Sequence, residues 1–272
     1  MKKPLGSLVF SLMLALVLML PSMGLAEIGN SANIKKDLPV EKLTNMELSA
    51  TGVNVEFKML DKAEDAPYAE LDATVVGIDS ANIQYGLEVN ETDTGVQIVV
   101  NHGDGTVIGI NRVSLYIFVQ KDTTIESLAL TMHDSDLTAN EVNIQNVSGN
   151  LADSKIHAGK ATIGMIDLTT NTSDLNLEGA ISGLKLQATG GTVKMATSVV
   201  PSEITVNATE TTVEIKVPET AEGFVLNYDL TESEFKTDHA SEYEENAGTV
   251  TVGNGASPFT FNITNGKLHL NK

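Results

Sequence analysis

Four aspartates are the first candidates for chemistry. Asp134 and Asp153 stand one repeat apart, and Asp136 and Asp174 fall close to the same period. If the chain folds back on itself at that interval, the four carboxylates cluster. Ca2+ takes roughly six to eight oxygens from carboxylates and carbonyls, so Asp134, Asp136, Asp153 and Asp174 are the candidate metal ligands. A second reading competes. Asp136, Lys155 and Asp174 alternate in sign, as do Lys194, Glu214 and Lys236, and such neighbours on adjacent strands form charge pairs worth about 0.2 to 1 kcal/mol each. The alternation favours charge pairing over a metal.

Other catalytic chemistry finds little footing. Glycoside hydrolysis needs two acids roughly 5 to 9 Å apart in a groove, and a β-helix enzyme acting on acidic polysaccharides must also neutralise its substrate. This chain has a net charge of −19, and Arg112 is its only arginine. His102, His133, His157, His239 and His269 are scattered without metal-ligand spacing, and His133 and His157 read as surface residues. No Gly-x-Ser-x-Gly elbow occurs, and His102-Gly-Asp-Gly reads as a turn. With no cysteine, thiolate sites and disulfides are excluded. No catalytic residue and no cofactor is expected.

The elements that would carry these residues follow from an internal repeat. Leu137, Ile156, Leu175, Val193, Val213 and Phe235 recur at spacings of 19, 19, 18, 20 and 22. The residues on either side of each are polar, and the residue two before is small: Ser135, Ser154, Ser173, Gly191, Thr211 and Ser233. The residue seven before is mostly large and apolar: Leu130, Gly149, Leu168, Leu186, Val206 and Tyr228. Alternation of period two marks a strand with one buried face. Its parity flips between the two halves of each copy, which requires a corner near Asn171 and Thr172 in the third copy. A repeat of this length, with short strands and polar corners, predicts an all-β fold: a single-chain parallel β-solenoid, β-helix-like, with about 20 residues per coil. The six anchors form its core ladder, and Asp174 points outward as scaffold.

Flanking segments vary the theme. Residues 46–55 read as an opening coil with Val53 in the anchor position. The runs YAELDATVV, IQYGLEVN, VQIVVN and VSLYIFV, separated by Asp-Thr-Gly at 93–95 and His-Gly-Asp-Gly at 102–105, predict antiparallel hairpins on the N-terminal side. Beyond Phe235 lies an acidic insertion near 238–248, and then a final coil around Leu268, with Phe261 seven before it, is expected to cap the stack. The predicted organisation is a signal peptide at 1–26, a lead-in at 27–45, the opening coil and hairpins at 46–129, and coils at 130–272.

The first residues set the address. Lys2 and Lys3, an uncharged run from Leu8 to Leu20, and Gly24-Leu25-Ala26 before the first acid at Glu27 have the build of a secretory signal peptide cleaved between Ala26 and Glu27. An uncleaved signal anchor is the alternative. Cleavage removes two lysines and no acid, so the net charge moves from −19 to −21. Such a surface repels nucleic acid and anionic membranes unless cations bridge the two. Tryptophan is absent, and the exposed candidates Tyr68, Tyr85 and Tyr243 are isolated, so aromatic stacking on sugars is not indicated. Asn-x-Ser/Thr sequons at Asn90, Asn146, Asn171, Asn207 and Asn262 fit the Asn- and Thr-rich outer face of a solenoid.

The phrases VSGNL (147–151), NTSDLNL (171–177) and ITNGKLHL (263–270), closed by TVGNG (251–255), resemble the bacterial "putative adhesin" family of β-strand-repeat proteins, which includes LiaG-like cell-envelope proteins. The likeness covers roughly residues 40–272. It implies a cell-surface location and brings no catalytic residue. The family's Gly-Asp pair is kept in none of the six main copies. Signal and resemblance together lead to an exported, non-enzymatic adhesin or envelope-binding protein. Its partner would be an envelope component, a surface polymer or a protein. An envelope-stress sensor or accessory protein held by an uncleaved anchor is the alternative, and a polysaccharide-active β-helix enzyme is the second alternative.

Overall fold

The computed structural model describes residues 29–60, 62, 65–78, 84–102, 108–218, 223–240, 244 and 246–272. The expected signal and its cleavage point, Ala26 and Glu27, lie outside the described residues. Within them no helix is long and apolar enough to cross a membrane.

Among the described residues the fold is all-β, with one turn of 3-10 helix at Val40–Lys42. A single 18-stranded sheet wraps around one continuous apolar core. Alternation explains why these residues are strands: along Thr124–His133 the buried side chains include Leu128, Leu130 and Met132, and the residues between them turn outward. In chain order the strands through the middle of the molecule are β8 (Thr124–His133), β9 (Asp136–Ala139), β10 (Asn143–Ala152), β11 (Lys155–Thr197), β12 (Glu203–Thr209) and β13 (Thr212–Lys216).

Two parallel ladders run through this region. In the first, Ile125 of β8, Ile144 of β10 and Ile163 of β11 are successive partners, each one sequence repeat beyond the last. It continues where Leu186 of β11 lies beside Val206 of β12. In the second, Leu137 of β9 lies beside Ile156 of β11, and Val193 of β11 beside Val213 of β13. All six anchors are buried, from Val213 at 0% exposure to Phe235 at 7%.

β11 runs for 43 residues through several corners, and its partner changes from β9 to β10 and later from β12 to β13 as it does so. The backbone enters the left-handed region at Lys160 (φ 54°), Thr172 (φ 50°) and Gly191 (φ 85°). The same corner recurs three residues before each anchor, at Asp134, Asp153, Thr172, Gly190, Glu210 and Glu232. Asp and Asn tolerate this conformation better than most side chains, because they hydrogen-bond locally.

Just inside the corner, the column of small residues proves to be a ladder of buried hydroxyls. Ser154 Oγ accepts the backbone N–H of Ser135 at 3.2 Å and donates to the carbonyl of Ala152 at 2.7 Å. Ser173 does the same one repeat on, accepting from Ser154 N at 3.2 Å and donating to Asn171 O at 2.9 Å. Ser135 acts likewise toward Val53 at 3.1 Å. A corner breaks the regular backbone ladder and would strand a buried donor, and the hydroxyl satisfies it. Smallness in this column therefore comes with a hydrogen-bonding task. Gly149 departs from its apolar column for a different reason. At φ 146°, an added Cβ would sit 2.0 Å from the carbonyl oxygen of Leu130.

Both ends depart from chain order. The remaining strands are β1 (Gly29–Asp37), β2 (Asn45–Thr51), β3 (Asn54–Leu60), β4 (Tyr68–Ile78), β5 (Tyr85–Glu91), β6 (Val96–His102) and β7 (Ile108–Gln120), then β14 (Phe224–Thr231), β15 (Glu234–Thr237), β16 (Ala247–Val252), β17 (Ser257–Thr264) and β18 (Lys267–Asn271). β2 lies between β6 and β8, and β3 between β7 and β9, all parallel. At the other end β17 is inserted between β12 and β14, and β18 between β13 and β15. Among the described residues antiparallel strands finish three of the four ladder ends, β5 on β6, β1 and β4 beyond β7, and β16 on β14, while β15 ends the second ladder parallel on β18.

Three expectations are corrected. The partner of Leu137 in the opening segment is Val55, and Val53 belongs to the inner corner column. A shift by two positions preserves every in-and-out assignment of a strand, so alternation alone could not detect it. The hairpin expected through residues 102–105 does not form between its flanks, because β6 pairs with β5 and β2 while β7 pairs with β4 and β3. The segment around Leu268 does not cap the stack, since it is covered on both sides.

Candidate functional site

The four aspartates go to separate tasks. Asp134 and Asp153 occupy left-handed corners at φ 49°, and Asp153 Oδ2 lies 3.9 Å from His133 Nε2. Asp136 is exposed and in register with Lys155. Asp174 Oδ1 accepts the backbone N–H of Thr192 at 2.9 Å, across from one repeat to the next. Among the described residues no three of His, Cys, Asp and Glu are grouped to hold a metal ion.

The histidines are likewise dispersed. His157 Nδ1 is 3.0 Å from Asn176 Nδ2 on the outer surface. His239 packs edge-on against Phe224, and its Nε2 lies 2.9 Å from Asn271 O. Of the tyrosines, Tyr68 is stacked on Phe118 at 4.3 Å beneath Lys35 Nζ, and the Tyr85 hydroxyl donates to Asn111 at 3.0 Å. Tyr68 therefore offers no free ring platform. Tyr243 and the side chain of His102 lie outside the described residues.

The outward faces of the two ladders differ in character. On the second ladder charges pair: Lys194 with its register partner Glu214 at 3.3 Å, and Glu234 with both Lys236 and Lys267. The hydrogen bond from Lys236 holds the Glu234 carboxyl below its ordinary range. Lys236 was expected beside Glu214, but β18 intervenes and sets His269 against both.

On the first ladder Lys185 of β11 pairs with Glu203 of β12 at 2.9 Å, and farther along the same strands an array of mostly neutral hydrogen-bonding side chains faces outward. Thr205, Asn207 and Thr209 of β12 are in register with Thr260, Asn262 and Thr264 of β17. Those in turn lie beside Asn227, Asp229 and Thr231 of β14. Gln187 and Thr189 of β11 extend the rows on the other side. Strands lie about 4.8 Å apart and alternate side chains about 6.6 Å apart along each strand, so donors and acceptors repeat on a two-dimensional grid. The surface here is concave, enclosing about 450 Å³, and Asp229 is the one ionisable group among its lining residues. Asn262 Nδ2 donates to Asn207 Oδ1 at 2.8 Å, which fixes both amides. Thr170, 2% exposed, also lines this concavity, and its Oγ1 has no hydrogen-bond partner.

The sequence did contain a signal for this face. Thr-x-Asn-x-Thr occurs at 205–209 and again at 260–264, and Asn207 and Asn262 stood out as sequons. Their juxtaposition was not readable, because β12 and β17 are far apart along the chain.

Several solved structures that resemble this chain have similar extent and little sequence in common with it. A protein from Bacteroides fragilis described as a "putative adhesin" aligns over 89% of this chain and 97% of its own, at 9% identity and a TM-score of 0.46. Another described in the same words, from Parabacteroides merdae, aligns over 89% and 96% at 13% identity and a TM-score of 0.40. A "putative cell adhesion protein" from Clostridium sporogenes aligns over 89% and 99% at 8% identity and a TM-score of 0.38. No protein-family model matches the chain, and no curated protein matches it. At such TM-scores, function has to be argued from the chain itself.

Proposed function

We propose that this protein is a non-enzymatic, adhesin-type binding protein of the bacterial cell exterior, a β-solenoid whose outer face holds a component of a cell envelope or surface polymer. Parallel ladders whose successive partners stand one repeat apart support reading the body as a solenoid that completes one coil per repeat. The build of residues 1–26 supports export. The observation that carries the binding role is the concave grid around Asn207 and Asn262, a surface equipped for multiple hydrogen bonds. Repeated weak contacts across an extended face add up when they engage together.

Immobilised protein incubated with solubilised envelope fractions, with and without divalent cation, tests this reading. Saturable retention of an envelope component is expected. Absence of retention under both conditions would overturn it. N-terminal sequencing of protein recovered outside the cell should begin at Glu27; a retained Met1 would replace release by anchoring.

A further inference from the structure

We infer that the concavity formed by β11, β12, β17 and β14 is a subsite for a neutral glycan chain, held by hydrogen bonds alone. This rests on the binding role proposed above and names its ligand class. Three observations converge on it.

The first is charge. In a chain of net charge −19, the concavity has Asp229 as its one ionisable lining residue. Among the lining residues a ligand carrying many negative charges finds no cation, since Lys185, two residues along β11 from Gln187, is already paired with Glu203 at 2.9 Å, and a basic ligand finds a single carboxylate. The second is donor and acceptor balance. Asn and Gln each carry both functions, and threonine hydroxyls rotate to serve as either. Sugar hydroxyls are themselves donors and acceptors, so the grid matches a polyol whichever way each hydroxyl points. The Asn262–Asn207 bond leaves the remaining amide hydrogens and the Asn262 carbonyl directed to fixed positions, and such preorganisation lowers the entropic cost of binding.

The third is shape. The lining residues come from two passes of β11 and from β12, β17 and β14. Five strands at about 4.8 Å span about 20 Å, which suits a short run of sugar units better than a single one. With no tryptophan in the chain and no aromatic residue lining the concavity, affinity comes from the number of hydrogen bonds engaged and must grow with chain length.

Isothermal titration of the protein with neutral cello-, manno- and N-acetylated chito-oligosaccharides of increasing length tests the inference, with polygalacturonate plus Ca2+ as the acidic comparison. At least one neutral series should bind, more tightly as it lengthens, and with little change between low and high salt because no charge is paired. Asn207→Ala combined with Asn262→Ala should weaken binding roughly tenfold or more. Thr209→Val keeps strand shape and β propensity while removing one hydroxyl, and should weaken it severalfold. Lys194→Ala on the other ladder should leave binding unchanged, and the melting midpoint reports whether each variant is folded. The inference is overturned if no neutral series saturates, if only polygalacturonate binds, or if the Asn207 and Thr209 variants bind like the parent. Should envelope retention persist in those same variants, the subsite is wrong and the adhesin-type reading stands. Should retention be absent from the parent protein, that reading fails first.

Discussion

From β8 to β13 the order of strands along the chain is also their order in space, whereas at both ends it is not. In the middle, each repeat is laid on the one before it, so the period of the sequence becomes a translation in the ladder. At the ends a layer is placed outside one that is distant in sequence, and three of the four ladder ends finish in antiparallel strands, the fourth in β15, parallel on β18. A parallel stack offers unpaired N–H and C=O groups wherever it stops, and exposed edges of that kind recruit other chains. The contrast shows that repetition builds the body, while irregular connections close it.

The sharpest way to break this contrast is a pair of deletions. Removing 143–161 takes out one whole repeat and brings β8 up to the next copy of itself. The shortened protein is expected to fold and melt cooperatively at a lower temperature. Removing 257–272 extracts β17 and β18 from between their neighbours and uncovers Ile204, Val206, Val213 and Ile215, all now at 0% exposure. That variant is expected to lose cooperative melting and to aggregate in size-exclusion chromatography. If it melts like the parent, the inserted layer is not essential to the end.

Within the body, Gly149→Leu restores the apolar column that the repeat suggests, yet it should cost about 3 kcal/mol or more. The new Cβ meets the Leu130 carbonyl at 2.0 Å. Denaturant unfolding checks this; an unchanged midpoint would mean the backbone yields easily. Ser154→Ala should cost about 1 to 3 kcal/mol by leaving the Ser135 N–H buried without an acceptor, measured in the same way. The smallest effect belongs to the closing end, at Glu234. Its carboxyl is held low by Lys236, so its stabilising effect is present above the ordinary carboxylate pKa and disappears as pH falls through the lowered value. Glu234→Gln should therefore lower the melting midpoint slightly at neutral pH and not at all in strong acid.

Much of the body was legible in sequence because burial with period two needs only local alternation. The six anchors, the polar columns beside them and the corner at Thr172 follow from that pattern, and each has a position in the structure that alternation can explain. The hydroxyl ladder of Ser135, Ser154 and Ser173 was visible only as smallness, since sequence does not say which backbone donor a corner will strand. Register at the opening segment was out of reach, because Val53 and Val55 are equally apolar and equally inward. The concave face was hidden for a topological reason. It joins β12 to β17 and β17 to β14, contacts of long sequence separation that no repeat period encodes.

The insertion of residues 257–271 has a temporal side. A stack in which every layer rests on its predecessor can grow progressively as a chain emerges from ribosome or pore. Here the layer made by 224–237 has nowhere to rest until residues 257–271 arrive and slide beneath it. Closing that long loop delays the step entropically, so these two layers settle together, with 257–271 acting as a latch that engages only after both of its neighbours have been made.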